Sequence, residues 1–284
     1  MLTPTSEQNT EKNKTHYDKR YADVDIQRIL RIVHDVTAYL EKVTTVDTSW
    51  VCMYYDGFAT QLKGKKVLEL GCGNCHNAAI MAALGAQVYA NDISSKIGDI
   101  IHKLNAEAEF EHPITYINGD FLKSEFKEQD FDIVVGKAFV HHLTHEQELQ
   151  FLKKIQTCLK KEGMVRFVEP AVNNRFVDWM RWMVPVKGRP SSLQTEKFKQ
   201  WKIQDPHPDR NNSRKHYKKV GLQFFKEAEI ISVGALERFH RLFPGAKWNR
   251  KFRKKAYKLE LFLPKFLRDE LARTQTIIYI FPKK

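Results

Sequence analysis

A glycine-rich turn, with an acidic residue about twenty positions beyond it, is the part of this 284-residue sequence that most clearly offers a ligand site. Glu69, Gly71 and Gly73 lie in Val67–Cys75, where a short β-rich segment ends in glycines and a helical pattern follows. Glycine at such a turn lets backbone N–H groups approach a ligand closely. Asp92 ends the next predicted strand, where a carboxylate can accept hydrogen bonds from both hydroxyls of a ribose. Together these features predict an adenosine site.

The third glycine of a dinucleotide-binding turn is missing, because Cys75 occupies its place two residues after Gly73. Without that glycine, the N-terminus of the following helix is less suited to a pyrophosphate. The turn therefore favours a nucleoside without phosphates over NAD or FAD.

Strands and helices alternate on both sides of this turn, which is typical of a parallel sheet covered on both faces. The apolar spacing predicts helices at 25–43, 77–84, 96–109, 146–159, 175–184 and 217–225, a partly helical stretch at 247–258, and strands at 66–70, 87–90, 114–118, 131–135, 165–168, 229–233 and 276–281. A turn is expected at Glu162-Gly163. Residues 187–213 are polar and proline-containing and are expected to be mostly loop.

Further motifs follow the turn in a fixed order, and in them the sequence resembles the class I S-adenosylmethionine (SAM) methyltransferases, which have a seven-stranded Rossmann-like core. The matching motifs are Glu69, Gly71 and Gly73; Asp92; Gly119-Asp120; Phe131–Val135 leading into Val140-His141-His142-Leu143; Leu159–Gly163; and Val168-Glu169-Pro170. The resemblance is strong over residues 60–170 and loose from there to the C-terminus.

The resemblance implies an α/β fold: a doubly wound, mostly parallel sheet with helices on both faces, an N-terminal helical extension, and an inserted helical and loop lid after strand five. It implies SAM as cofactor, with S-adenosylhomocysteine as product. The implied SAM-binding residues are Glu69, Gly71, Cys72, Gly73, Asn74, Asp92, Ile93, Asp120, Phe121 and Lys137. Glu69 would orient the methionine ammonium, Asp92 the ribose and Asp120 the adenine. Each acid also has a plainer interpretation, as a strand-end charge, a helix N-cap or a turn residue respectively.

The implied reaction is an SN2 transfer of the sulfonium methyl group to O, N or C of a small or lipid-like organic molecule, including anionic ones. The candidate catalytic residues are His141 and His142, which follow strand four at the ligand edge of the sheet, and Glu169, which ends strand five. A neutral imidazole there could accept a proton from the methyl acceptor. Adjacent helical residues point about 100° apart, so at most one histidine aims squarely into a cleft. The alternative is that the pair only packs.

Residues 72–76 spell C-x-x-C-H, a pattern shared with c-type haem attachment and with half of a zinc site. Haem attachment belongs to exported proteins, and the N-terminal residues lack the apolar core of a secretory signal. A structural zinc site needs two further ligands at matching spacing, which Cys52 and Cys158 do not offer. The sequence therefore predicts no metal and no disulfide framework.

The net charge of +13 is unevenly distributed. Residues 161–284 carry +17 and residues 1–160 carry −4. A few convergent cations could hold an anionic small molecule; the candidates for substrate binding are Tyr21, Arg175, Arg181, Arg210, Arg214 and His216. The alternative partner is RNA, contacted by these cations and by Trp179, Trp182, Trp201 and Trp248. Against RNA, Gly136–Phe139 carries no base-methylating signature. A third possibility is a SAM-binding protein without catalysis.

The expected organisation is a disordered lead over 1–15, an N-terminal helical cap over 16–60, the SAM-binding core over 61–170, a lid over 171–216, and the rest of the core with the final strand pair over 217–284. No apolar run approaches the roughly 18 to 20 residues of a membrane helix. We therefore expect a soluble cytoplasmic protein. The oligomeric state and the identity of the acceptor stay open.

Overall fold

The computed structural model describes residues 5–124, 128–186, 188–242 and 245–283. Its centre is a seven-stranded sheet of order β3-β2-β1-β4-β5-β7-β6. The strands are β1 (Lys66–Leu70), β2 (Gln87–Asp92), β3 (Thr115–Asn118), β4 (Phe131–Lys137), β5 (Leu159–Pro170), β6 (Phe225–Val233) and β7 (Thr274–Pro282). Of these seven strands, β7 alone runs antiparallel to its neighbours, β5 and β6. The predicted doubly wound, mostly parallel sheet is confirmed.

The central strands are fully buried because helices cover both faces of the sheet. Val67, Leu68 and Leu70 of β1 are each 0% exposed, as expected for a parallel strand that packs on both sides. Alternate residues point to opposite faces, so Val67 packs in one hydrophobic cluster and Leu68 and Leu70 in the other. The sheet thus divides two cores and fixes the positions of the strand ends.

The helices follow the predicted alternation within the core and extend beyond it at both ends. They are α1 (Ser6–Arg20), α2 (Ile26–His34), α3 (Val36–Val43), α4 (Thr48–Tyr54), α5 (His76–Ala83), α6 (Ile97–Glu107), α7 (His145–Cys158), α8 (Arg175–Met183), α9 (Thr195–Gln204), α10 (Arg214–Phe224), α11 (Ala246–Glu260) and α12 (Lys265–Leu271). In the described segments, no helix combines the length and the hydropathy that crossing a membrane requires.

The N-terminal segment is a helix, which corrects the prediction of a disordered lead over 1–15; residues 1–4 of that lead lie outside the described residues. Thr5 and Gln8 form a capping box at the start of α1, which satisfies two of the free N–H groups there. The two fully buried residues of α1 are Asn9 and Asn13. Their amides pair with buried polar groups, so apolar periodicity gives no sign of this helix.

Three further boundaries differ from the prediction. The helix expected over 25–43 is two helices, because Asp35 leaves helical geometry (φ −135°) and its carboxylate caps Ala38 N–H. Part of the loop expected over 187–213 is α9; Lys187 itself lies outside the described residues. The turn expected at Glu162-Gly163 lies inside β5, where the pairing with β4 shifts register between Phe131 and Ile133. A strand irregularity takes the place of the turn.

Candidate functional site

A cavity of about 1240 Å³ lies at the carboxyl ends of β1, β2 and β4. This is the edge where parallel α/β sheets bind ligands. Ligand pockets typically measure about 300–1,000 Å³, so the cavity has room for more than one molecule. Its wall includes the β1–α5 turn, the ends of β2 and β4, the turn after β4, and α1 from Asn9 onward. Residues of α2 to α4 and α7, and residues 188, 201 and 204–207 of the insertion after β5, also contribute.

The glycines of the β1–α5 turn are needed both for their backbone angles and for the side chains packed on them. Gly71 and Gly73 have φ of +62° and +58°, which an L side chain adopts only with strain. A Cβ on Gly71 would lie 2.5 Å from Cδ2 of Phe139, and one on Gly73 would lie 2.8 Å from the hydroxyl of Tyr21. The turn therefore lies in close contact with Phe139 and Tyr21, which also line the cavity.

Asp92 is 7% exposed at the end of β2 and lines the cavity. One carboxylate oxygen accepts a hydrogen bond from Gly73 N–H (2.9 Å) and the other from Ser94 N–H (2.9 Å). Burial raises the pKa of this carboxyl group, against those backbone donors. Each oxygen keeps a free lone pair, so Asp92 can brace the glycine turn and still accept from a ligand hydroxyl.

Glu69 offers an unsatisfied carboxylate oxygen at the same wall. Its Oε1 accepts from the amide of Asn77 (2.8 Å), but its buried Oε2 has no partner among the described residues. Burial raises the pKa of Glu69 to about 7. Lys137 also lines the cavity, with Nζ 4.5 Å from the centroid of the Trp50 ring, and burial lowers its pKa. A buried acid of this kind is suited to a ligand ammonium.

Comparison with known proteins assigns the class of this site. Residues 67–163 match the family model described as a methyltransferase domain. An uncharacterised methyltransferase of Bacillus licheniformis is 30% identical over 126 residues, which cover 43% of this chain and 56% of that relative. Residues 67–163 therefore match a methyltransferase domain. The predicted resemblance to methyltransferases is confirmed over this segment, and the chain spans little more than half the length of the curated relatives it matches.

Solved structures confirm the fold of the methyltransferase domain. Phosphoethanolamine N-methyltransferase 2 of Haemonchus contortus, in complex with phosphomonomethylethanolamine and S-adenosylhomocysteine, is 16% identical with a TM-score of 0.51, over 92% of this chain and 61% of that one. The 1,6-didemethyltoxoflavin-N1-methyltransferase of Burkholderia thailandensis, with 1,6-didemethyltoxoflavin and S-adenosylhomocysteine bound, is 10% identical with a TM-score of 0.53, over 100% and 93%. At these identities the likeness establishes fold alone.

SAM, the predicted cofactor of this methyltransferase domain, fits the residues present. The unpaired Oε2 of Glu69 suits the methionine ammonium, and Asp92 suits the ribose hydroxyls. Cys72, Asn74, Ile93 and Asp120 also line the cavity. Phe121 does not: it is fully buried in the core, 5.4 Å from the ring of Phe151, which corrects its prediction as a SAM-binding residue. Phe121 therefore contributes to one of the two hydrophobic cores and not to the cavity wall.

Glu169 positions other groups and does not line the cavity. It is 0% exposed, and its Oε1 accepts from the N–H groups of Phe139 (2.9 Å) and Val140 (2.6 Å). Its Oε2 lies 2.5 Å from Nδ1 of His141. Glu169 therefore anchors the 3₁₀ turn Val140–His142 and orients the first imidazole, a different role from the direct catalysis predicted for it.

Both adjacent histidines line the cavity, contrary to the expectation that at most one would point there. The tight 3₁₀ turn replaces an α-helix, and the ring centroids of His141 and His142 are only 4.3 Å apart. Nε2 of His142 lies 2.9 Å from the hydroxyl of Tyr17 on α1. Burial lowers the pKa of His142 well below its ordinary value, so this ring is neutral near pH 7.

A third histidine, His207, completes the group and was missed by the sequence reasoning. Its ring stacks on that of His141, with centroids 5.0 Å apart and planes at 10°, and its centroid is 4.3 Å from that of His142. Its Nδ1 is hydrogen-bonded to Asp205. Within a segment whose composition predicts loop, the run Asp205-Pro206-His207-Pro208 is the one visible signal: an imidazole held between prolines.

The structure does not bring the predicted substrate-binding cations to the cavity. Arg175 is exposed on α8, and Arg181 pairs with Asp178 at 3.4 Å. Arg214 bonds Asp269 at 2.5 Å, whereas Arg210 and His216 both bind the buried Glu148, at 2.6 and 2.8 Å. Each of these side chains either pairs with a carboxylate outside the cavity lining or faces solvent. Of the predicted substrate residues, Tyr21 alone lines the cavity.

Proposed function

We propose that this chain is a SAM-dependent methyltransferase whose acceptor is a small polar molecule held inside the cavity. The observation that carries the proposal is the position of α1, which lies across the ligand edge of the sheet. SAM occupies the glycine-turn side of the cavity in this proposal, and the acceptor occupies the side of the histidines. The volume above the range of a typical single-ligand pocket supports the presence of both.

Helix α1 is hydrogen-bonded to several elements that surround the cavity. Asp18 accepts from Ser94 Oγ (2.6 Å), just after β2. The Asn9 amide donates to the carbonyl of His142 (2.7 Å), after β4, and Lys12 donates to the carbonyl of Asp205 in the insertion. Among the residues that the structure describes, a helix fixed on these sides covers the reacting centre where a polymer would have to pass. This closure favours an acceptor that fits whole beneath α1.

The acceptor side of the cavity is rich in hydrogen-bonding groups. From α1 it receives Asn9, Asn13 and Tyr17, and from the remaining chain it receives Gln147 and Asp205, besides the three histidines. Asn13 Oδ1 and His142 Nδ1 have no hydrogen-bond partner among the described residues, and an alkyl chain placed against them would leave them so, at a cost of about 1–3 kcal/mol each. The lining therefore supports a polar acceptor over the lipid-like one that the sequence also allowed.

Methyl transfer needs little beyond alignment. The lone pair of the acceptor atom forms a bond to the methyl carbon while the carbon–sulfur bond breaks, and its electron pair stays on sulfur, giving S-adenosylhomocysteine. An acceptor proton goes to a base or to solvent. Holding the reactants in line can supply about 7–11 kcal/mol of the barrier reduction. The cavity-facing ring nitrogen of His141, oriented by Glu169, is placed to receive that proton.

RNA as the alternative acceptor receives little support from the site. The cations expected to contact phosphates pair with carboxylates or face solvent, as described above. Trp182 packs on Trp201 at 6.0 Å between ring centroids and on Phe198 at 5.7 Å, so it is part of a small cluster and not an open stacking platform. Trp248 on the cationic helix α11, 68% exposed, and Trp179 on α8, 57% exposed, are exposed aromatic residues on which an RNA base could stack.

The test measures SAM and S-adenosylhomocysteine binding by calorimetry, then methyl transfer from labelled SAM to a polar metabolite extract and to total RNA. Asp92→Asn should weaken SAM binding tenfold or more, since a charge-assisted pair of bonds is lost, whereas the exposed control Asp99→Asn should bind as wild type does. Labelled RNA with salt-steep binding would overturn the acceptor assignment. Unchanged SAM affinity in Asp92→Asn would overturn the cofactor site.

A further inference from the structure

Three imidazoles converge at the acceptor side of the cavity from two separate segments. His141 and His142 belong to the turn after β4, and His207 comes from the insertion 65 residues further along. One nitrogen from each ring lies within 4.8 Å of the corresponding nitrogens of the other two. All three rings line the cavity. Packing alone does not explain why three polar rings should turn toward one point.

The outward nitrogens of two of these rings are held by carboxylates. Nδ1 of His141 is bonded to Glu169, which is 0% exposed, and Nδ1 of His207 is bonded to Asp205, which is 7% exposed. An Nδ1–H that donates to a carboxylate leaves Nε2 with a free lone pair. This carboxylate–histidine arrangement is the usual support of a metal ligand, because it fixes both the tautomer and the ring orientation.

The third ring, that of His142, also has one nitrogen held by a hydrogen bond, but its partner is a hydroxyl group. Nε2 of His142 bonds the hydroxyl of Tyr17 at 2.9 Å, which leaves Nδ1 as its inward nitrogen. That Nδ1 is fully buried and has no hydrogen-bond partner among the described residues. A buried polar atom without a partner is uncommon and calls for an explanation such as an ion. With protons on all three outward nitrogens, each ring keeps one nitrogen with a free lone pair within the same small cluster.

We propose that Nε2 of His141, Nδ1 of His142 and Nε2 of His207 bind a divalent first-row metal ion, with Zn²⁺ as the best match. Neutral imidazole is a preferred ligand of zinc, and three protein ligands with one open position are typical of zinc sites that take a substrate or water. This reverses the expectation of a metal-free protein. Neither group of three possible ligands in the described residues includes a cysteine, so the C-x-x-C-H pattern has no part in the site.

The role of the ion rests on the proposed function, but its binding does not. The open position faces the cavity, so the ion would take a water or an oxygen, nitrogen or sulfur donor of the acceptor. A bound cation lowers the pKa of a coordinated hydroxyl group. The acceptor proton would then pass to solvent, and His141 would serve as a ligand in place of a base.

The experiment uses full-length protein without a polyhistidine tag, stripped with a chelator and titrated with Zn²⁺ by calorimetry. Co²⁺ serves as a spectroscopic probe, because its visible bands distinguish a tetrahedral nitrogen site from surface binding. We expect one ion per chain, and loss of that binding in His207→Ala. His207 is 41% exposed, so its removal should leave the fold intact; thermal melting checks this. His102→Ala, an exposed histidine on α6, is the matched control.

A second pair of variants separates a supported metal site from incidental binding by histidine. Asp205→Asn should weaken Zn²⁺ binding by about 10- to 100-fold through the loss of its support to His207, and the exposed neighbour Asp209→Asn should not. Absence of stoichiometric binding to wild type, or wild-type binding in folded His207→Ala, would overturn the proposal. SAM binding is measured on the same stripped samples: SAM binding without Zn²⁺ binding leaves the proposed function standing, and the reverse leaves only the metal site.

Discussion

The carboxylate of Glu69, whose Oε2 has no hydrogen-bond partner among the described residues, makes SAM binding depend on pH. Burial raises the pKa of this group to about 7 in the free protein. At that pKa only about 10% of it is ionised at pH 6, and about three quarters at pH 7.5. The methionine ammonium of SAM binds the ionised form, so SAM binding lowers the pKa of Glu69 and releases a proton. Affinity must therefore rise as pH rises from 6 toward 7.5.

The size of the effect follows from the two ionisations. The ligand amine, with a pKa of about 7.8, is almost fully charged at pH 6 and about two thirds charged at pH 7.5. The product of the two charged fractions increases about fivefold between these values. Calorimetry should find SAM bound about fivefold more weakly at pH 6, with proton release visible as a dependence of the heat on the buffer.

Glu69→Gln isolates the contribution of this carboxylate. The variant keeps the shape and the contact with Asn77, loses the charge, and should bind SAM about tenfold more weakly at pH 7.5 with no rise from pH 6. The control is Glu229→Gln, an exposed acid on β6, which should retain the fivefold change. A flat wild-type profile, or SAM binding by the Glu69→Gln variant that still rises with pH, would refute the argument.

Two further substitutions test the supports of the site. Gly71→Ala should lower the free energy of unfolding by about 2–4 kcal/mol, because of the φ of +62° and the overlap with the neighbouring aromatic ring. The control Gly64→Ala, at φ +71° with nothing within 4 Å of the added Cβ, should lower it by about 1 kcal/mol. Equal decreases for the two variants in urea denaturation would contradict the steric argument. Glu148→Gln should lower the free energy of unfolding by roughly 3 kcal/mol, because it leaves the Arg210 guanidinium without its carboxylate partner. Burial opposes ionisation of Glu148, but its cationic partners lower its pKa. The stabilisation that this ion pair gives the fold is therefore present above about pH 4.5 and is lost as pH falls through the lowered pKa. An equal decrease in the free energy of unfolding in the control Glu227→Gln would contradict this.

The core of the fold was predictable because its residues obey simple burial rules. The strands β1 and β4 are short apolar runs bounded by turn residues, and a parallel sheet buries such runs on both faces. The glycine turn and Asp92 were predictable for a similar reason, since their spacing places both at the ends of adjacent strands. Local sequence was sufficient wherever the structure is determined by periodicity.

The acceptor side was not predictable, because its contacts join distant segments through polar groups. Asn9 pairs with the carbonyl of His142 and with the side chain of Gln147, more than 130 residues away. The cations of the insertion were assigned to the cleft from charge alone, whereas Arg210 forms an ion pair with Glu148 at 2.6 Å. Which carboxylate a cation pairs with depends on the tertiary structure. The same holds for His207, which reaches the other two histidines only because the insertion folds back onto the cavity.

The way α1 is held has a kinetic consequence. Its two buried residues are asparagines, and it is held by hydrogen bonds to His142 and Ser94 and by the contact between the rings of Tyr17 and His142. Detaching it exposes little apolar surface, and water replaces each lost bond at modest cost. Elements of this kind open locally while the global fold persists. Under the proposed function, entry of the acceptor and release of the product therefore require only that α1 detach, with the sheet and both cores unchanged.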